Sequence, residues 1–315
     1  MRYNRRMGKL VIIDGNAILH RAFHAIPPLT TPTNEPINAV HGFVSMILKV
    51  VQDLRPTHIA VAFDRKEKTF RQKELPTYQA QRPPMAGELS SQFAKARDFL
   101  SAAKILVYSK PGYEADDVIG TIATLGSQLK IKNSKLKIEE VVIVTGDRDQ
   151  LQLIDDKKSI KLYMPVAGLI NAKLYGEAET VERMGVPPTQ IADLKSLTGD
   201  ASDNYFGVAG IGPKTAINLL TRFGTLQGVY GHLNDLPEKL RDKLVKGKKS
   251  ADQSYFLATI DRNVPIDIDF EAMDKWSIAG PKVLELFEEF GFKTLTKRIQ
   301  DVGKRIEEEK QGALF

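Results

Sequence analysis

An α/β fold with a parallel-type central sheet flanked by helices is what the sequence predicts, on three observations. Short β-branched runs recur at Lys9–Asp14 (KLVIID), His58–Asp64 (HIAVAFD), Ala103–Ser109 (AKILVYS) and Val141–Thr145 (VVIVT). None alternates with polar residues, so each reads as a strand buried on both faces, as in parallel sheets. Loop or helix-like sequence follows each run, which supplies the crossovers a parallel sheet needs.

The elements follow in order. Residues 36–54 (PINAVHGFVSMILKVVQDL) carry apolar groups at helical spacing, and Arg55-Pro56 stops that helix before the second strand. Residues 65–84 (RKEKTFRQKELPTYQAQRPP) are rich in Lys and Arg, carry Phe70 and Tyr78, and hold too little apolar surface for a core. They read either as a solvated loop or as a basic excursion over the site. In the second reading Arg71 and Arg82 grip phosphates while Phe70 and Tyr78 stack on bases. Residues 88–102 and 115–129 read as helices, and Lys130 to Lys137 as an exposed connection. From about residue 185 the chain becomes helical and turn-rich.

Nine carboxylates sit at or just after the ends of apolar segments: Asp14, Asp64, Glu114, Asp116, Asp117, Asp147, Asp149, Asp200 and Asp203. In open parallel sheets the loops beyond the carboxyl ends of the strands share one crevice. The strand-end acids therefore converge from distant parts of the chain, and so many carboxylates cannot all stay ionised together without counter-charge. Hard cations with oxygen ligands, Mg²⁺ or Mn²⁺, meet that need. Helix capping is the other reading of Glu114, Asp116 and Asp117, because a helix N-terminus favours negative charge. Capping needs only one or two of them.

Gly207 to Ala216 (GVAGIGPKTA) is a glycine hairpin leading into a helix over Ala216–Phe223. A dinucleotide fingerprint needs a third glycine where Thr215 stands, and a phosphate-binding P-loop is interrupted by Pro213. A helix-hairpin-helix remains, in which Gly210, Ile211, Gly212, Lys214 and Thr215 bring backbone N–H groups to a DNA-strand phosphate. Such contacts position a duplex without reading its sequence.

With 315 residues and 42% hydrophobic content the chain can bury one large domain or two smaller ones. It contains no cysteine, which removes disulfides and thiolate metal sites and suits a reducing, cytoplasmic setting. No run approaches the roughly 18 apolar residues of a membrane span, and the basic MRYNRRMGK stretch does not read as a signal peptide. The net charge of +6 includes the nine acids, so the remaining surface is more basic still and suits a polyanionic substrate.

Six ordered motifs, VIIDGN (11–16), AVAFD (60–64), YEADD (113–117), VTGDRDQLQL (144–153), GDASDN (199–204) and GVAGIGPKTA (207–216), resemble the 5′ nuclease domain of bacterial DNA polymerase I in the flap endonuclease superfamily. The resemblance spans roughly residues 8–297. It implies a PIN-like core over 1–184 with a helical arch at about 65–90, and a helix-three-turn-helix DNA-binding region with C-terminal return helices over 185–297. A charged tail, 298–315, follows. It further implies a first metal near Asp14, Asp64, Glu114, Asp116 and Asp117, and a second near Asp147, Asp149, Asp200 and Asp203. The reaction implied is in-line hydrolysis by a metal-activated water, with ions about 3.5–4 Å apart. Arg71 and Arg82 are its catalytic cations, and K⁺ at the hairpin is a further expectation. Duplex DNA with a 5′ flap or 5′ end is the partner, met by a monomer in primer removal and repair.

The chain departs from the family pattern in two places. The arch usually reads Tyr-Lys-Ala-x-Arg, and here it is Tyr78-Gln79-Ala80-Gln81-Arg82. Tyr205-Phe206-Gly207-Val208 lacks a usual proline. Loss of the arch lysine raises the alternative of a DNA-binding module with weakened catalysis. A phosphatase of the haloacid-dehalogenase type, loosely similar in VIIDGN and VTGDRD, would need an acid/base Asp where Asn16 stands. The chain ends soon after the nuclease region, as a free-standing nuclease or an excised fragment would. Its final Gln311-Gly312-Ala313-Leu314-Phe315 is similar to tails that dock on the sliding clamp, and equally reads as an ordinary terminus.

Overall fold

The computed structural model describes residues 8–129, 137–167 and 171–312. Six strands form one sheet: β1 (Gly8–Asp14), β2 (His58–Ala62), β3 (Leu106–Tyr108), β4 (Ile138–Val144), β5 (Ile160–Ala167) and β6 (Asn171–Tyr175). Their spatial order is β3-β2-β1-β4-β5-β6, parallel throughout except for the antiparallel β6. The centre is β1, whose Ile12 pairs with Ala60 on one side and Ile143 on the other.

Successive side chains of a strand point to opposite faces, and the unbroken apolar runs feed a separate core on each. Val11 and Ile13 join Val142 and Val144 beneath α1 (Gly15–Ala25), α2 (Asn38–Leu54) and α4 (Gly87–Ala102). The alternate residues Leu10, Ile12, Val141 and Ile143 pack under α5 (Ala115–Gln128). That second core continues without a break past α6 (Glu177–Met184) into α7 (Ile191–Thr198), α8 (Pro213–Phe223), α9 (Leu226–Gly231) and α10 (Glu238–Ala258). The first is closed by α11 (Pro281–Glu289) and α12 (Lys293–Gly312). Helix α2 ends on Arg55 in the left-handed region, φ 48°, just before Pro56.

Three elements differ from the sequence expectation. The third strand is only Leu106–Tyr108, because α4 runs on to Ala102 and Lys104 turns the chain at φ 55°. The fifth and sixth strands were not foreseen; β6 (NAKLY) is a short, largely exposed edge strand without an apolar run. Across 65–90, where the arch is expected, α4 begins at Gly87 and one short helix precedes it, α3 (Phe70–Glu74). Thr69 and Gln72 box its N-terminus, while Pro76, Pro83 and Pro84 deny the rest of the segment a continuous helix.

After α7 the chain turns through 199–212 and enters α8, whose first residue is Pro213, three residues before the helix start expected from sequence. Gly199 and Gly207 close this loop on themselves. A Cβ on Gly207 would lie 2.4 Å from the Leu197 carbonyl oxygen, and Gly199 has φ 75°. No helix among the described residues is long and apolar enough to cross a membrane. Residues 1–7, most of the lysine-rich 130–137 connection, and Ala313 to Phe315 of the clamp-like tail lie outside the described residues.

Candidate active site

The carboxyl ends of β1, β2 and β4 open into one cleft of about 650 Å³. Seven of the nine acids line it: Asp14, Asp64, Glu114, Asp116, Asp147, Asp149 and Asp203. Asp14 ends β1 and caps α1, its Oδ1 accepting from Ala17 N at 2.9 Å. Asp64 follows β2 and accepts from Ala115 N at 2.7 Å, while its own N–H donates to Asn16 Oδ1 at 2.9 Å. Glu114 caps α5 and Asp116 lies in that helix's first turn.

Polar side chains orient these acids. Thr145 Oγ1 donates to Asp14 Oδ2 at 2.8 Å and also accepts from Asp147 N. Gln150 Nε2 reaches both Asp14 Oδ2, 3.1 Å, and Asp116 Oδ1, 2.7 Å, while the buried Oε1 of the same amide has no hydrogen-bond partner. Loss of solvent, followed by the fields of Asp64 and Asp147, pushes Asp14 up to about 7. Burial and the crowd of Asp147, Asp14 and Glu114 raise Asp116 well above the ordinary carboxylate range. Glu114 rises to about 7, chiefly by burial, although Arg71 opposes the shift.

A second group adjoins the first. One oxygen from each of Asp149, Asp200 and Asp203 lies within 4.8 Å of the others, spacing that can hold a metal ion. Lys195 of α7 ion-pairs with both Asp149 and Asp200. Burial outweighs that cation at Asp149 and lifts it to about 6, whereas at Asp200 the Lys195 ammonium overrides burial and holds the carboxyl low. Asp203 accepts from Arg82 Nη2 and from the Tyr78 hydroxyl.

Four of the expected site residues have other tasks in this geometry. Arg71 is 2% exposed, and every N–H of its guanidinium is used: Asp117 takes two, the Leu257 and Thr259 carbonyls one each, and Glu114 the last. It cannot also grip a phosphate, so it acts as a buried tie between α3, α5 and the end of α10. Asp117 is fully buried against Arg71 and accepts from the Glu114 and Asp261 amides, which turns it away from the cleft. Tyr78 is buried, stacked on Tyr205, with no free face for a base. Phe70 meets Tyr113 and Phe256 edge to face and carries the Arg71 guanidinium on its ring.

Arg82 does remain at the cleft, its side chain 54% exposed. In the hairpin Gly210, Gly212 and Lys214 are exposed and Thr215 is half-buried in the first turn of α8. Gly210 has φ 77° and its carbonyl accepts from Lys243 Nζ at 3.0 Å. Ile211 differs: its side chain is in the core and its N–H closes the turn onto Val208 O.

Sequence reasoning missed Gln150, Thr145, Asn16 and Lys195. The first two lie inside the VTGDRDQLQL motif (144–153), whose acids drew notice before its neutral residues. Lys195 is the sole cation of α7; its partner Asp200 is five residues on, but Asp149 lies 46 positions away and nothing in the sequence joins the two.

Two family models match the chain: "5′-3′ exonuclease, N-terminal resolvase-like domain" over residues 9–185 and "5′-3′ exonuclease, C-terminal SAM fold" over 186–280. DNA polymerase I of Caldicellulosiruptor bescii is 39% identical over 291 residues, 92% of this chain and 33% of that protein. DNA polymerase I of Bacillus subtilis is 35% identical over 302 residues, 96% of this chain and 33% of that one. The chain thus spans about a third of the length of these relatives. Among solved structures, the bacteriophage T5 flap endonuclease in a pseudo-enzyme-product complex with DNA and metal ions has the same fold, with a TM-score of 0.64 at 23% identity. The match covers 94% of this chain and 99% of that one.

Proposed function

The chain belongs to the 5′-3′ exonuclease family, and from that premise we propose that it hydrolyses phosphodiesters at the 5′ ends and 5′ flaps of duplex DNA. The proposed setting is primer removal and repair. The observation that carries this reading is a cleft lined by seven of the nine strand-end carboxylates and roofed by the basic segment 65–86.

The donor set fits hard divalent cations, Mg²⁺ or Mn²⁺. It consists of carboxylate oxygens held close enough to oppose their own ionisation, with the unpartnered Gln150 Oε1 beside Asp14 and Asp116. Asp14, Asp64, Glu114 and Asp116 would hold one ion, and Asp147, Asp149, Asp200 and Asp203 the other. When bound, the cations supply Lewis-acid activation of the attacking water and charge for the oxygen that leaves.

The protein's own groups do the positioning. Thr145 and Gln150 fix the oxygens of Asp14 and Asp116, the kind of outer support on which a metal site's affinity depends. Arg82 presents a cation to the phosphate entering beneath segment 65–86, the strap across the cleft. Gly210, Gly212 and the first turn of α8 with Lys214 hold one backbone phosphate of the duplex, aided by the helix N-terminus. These contacts read shape, so substrate choice rests on the 5′ structure of the DNA.

A gel assay with 5′-labelled and 3′-labelled flap duplexes, with Mg²⁺ and with chelator, tests the reading. Metal-dependent products near the flap junction are expected from the wild-type chain, and none from Asp116→Ala or Asp64→Ala, which still bind the DNA. Undiminished cleavage by Asp116→Ala would remove the reading.

A further inference from the structure

The middle of the strap is tied to the loop after α7 by contacts that the acid cleft does not itself require. Gln79 N donates to Asp203 O at 2.9 Å. Gln81 Nε2 donates to Asn204 Oδ1, and Asn204 Nδ2 donates to Thr77 O, each at 2.7 Å. Beside them Tyr78 and Tyr205 stack with centroids 6.3 Å apart and planes 15° from parallel. Gln79 and Asn204 both adopt left-handed backbone, φ 58° and 57°, a conformation non-glycine residues take seldom and here at the two facing points of the tie.

Both ends of the strap are also fixed, one by β2 and the other by α4. The segment therefore crosses the cleft with its centre pinned, and Gln79, Arg82, Pro83 and Met85 border the opening. A single-stranded 5′ arm leaving the acid cluster must pass this pinned segment. Gln81 is solvent-exposed and Asn204 half-exposed, so their bond is the member of the set most readily exchanged for water.

We infer that the Gln81–Asn204 pair is a latch that sorts substrates by the length of their 5′ single strand. This rests on the nuclease reading above. With the latch shut, Arg82 is already in place over Asp203 and a single unpaired 5′ nucleotide turns over; a long arm is cleaved only from the open state. Gln81 and Asn204 act here as positioning residues, since neither lines the acid cleft.

The test compares wild type and Gln81→Ala on two Mg²⁺-containing reactions, a duplex with one unpaired 5′ nucleotide and a duplex with a long unstructured 5′ arm. Hydrogen exchange at the Gln79 amide is followed in the same two proteins without DNA. Loss of one such hydrogen bond is expected to raise kcat/KM on the long arm about five-fold, leave the short arm unchanged and speed exchange at Gln79. Faster exchange with an unchanged ratio of the two substrates overturns the sorting, and unchanged exchange overturns the latch. Failure of wild type to cleave either duplex would remove the nuclease reading and the sorting together, while the exchange result still judges the latch.

Discussion

Arg71 and Asp117 form a two-pronged ion pair at the base of the strap, with Nη1 and Nη2 each 2.8 Å from a different carboxylate oxygen and both side chains almost wholly buried. Removing Arg71 leaves Asp117 buried without its cation, and removing Asp117 leaves Arg71 with Glu114 as its remaining anion; breaking such a buried pair costs about 3–5 kcal/mol. Arg71→Ala and Asp117→Ala are expected to lower stability by that amount in denaturant unfolding, and to lose activity through unfolding of the strap's base. Arg82→Ala, at a half-exposed site, is expected to unfold like wild type within about 0.5 kcal/mol and to lose cleavage. An Arg71→Ala protein as stable as wild type would contradict the tie.

Gln150 is the bridge between Asp14 and Asp116, so its loss frees two mutually repelling carboxylates to separate. Gln150→Ala is expected to raise the Mg²⁺ concentration for half-maximal cleavage by about 10- to 100-fold with little change in DNA affinity. A metal titration of initial rates measures this.

The metal-free protein should lose stability as pH rises. Asp14 and Glu114 titrate near 7 and Asp149 near 6 in the fold, above the ordinary carboxylate range. A carboxyl whose folded pKa is raised contributes stability that is complete below its unfolded pKa and is lost as pH climbs through the folded value. The Tm in chelator is therefore expected to fall between about pH 4 and pH 7. Mg²⁺ should recover it more at pH 8 than at pH 5.5, because only the ionised acids ligate. Equal gains from Mg²⁺ at the two pH values would speak against this cluster as the metal site.

Lys195 supplies positive charge to Asp149 and Asp200 in the absence of other cations. Lys195→Met is expected to destabilise the chelated protein by about 3 kcal/mol, with the deficit shrinking in Mg²⁺. Thermal melts under both conditions decide it.

At the hairpin, Lys214→Ala is expected to weaken duplex binding evenly across sequences and to reduce the dependence of log affinity on log salt by about one unit. Gly210→Ala places a Cβ 2.9 Å from Lys243 Nζ on a backbone of φ 77° and should weaken the same binding through the turn. Fluorescence anisotropy over a salt series measures both.

The central strands β1, β2 and β4 were legible because β-branched runs without alternation have one comfortable environment, the middle of a covered sheet; the third run instead forms the edge strand β3, with Val107 exposed. Convergence of Asp14, Asp64, Asp116 and Asp149 follows from that topology alone. Arg71 and Tyr78 were not legible as structural residues: their partners Asp117 and Asp203 lie 46 and 125 positions away, and a basic aromatic segment looks the same before its contacts are known. The edge strand β6 escaped notice because pairing on one side only imposes little hydrophobic pattern.

The most direct test of the account is a calorimetric titration of Mn²⁺ into the metal-free wild-type chain and into Asp116→Asn. Two saturable ions are expected in wild type, with at least one lost or strongly weakened in the variant. Identical isotherms for the two proteins, or no saturable binding in wild type, would contradict the claim that these scattered acids form one cation site.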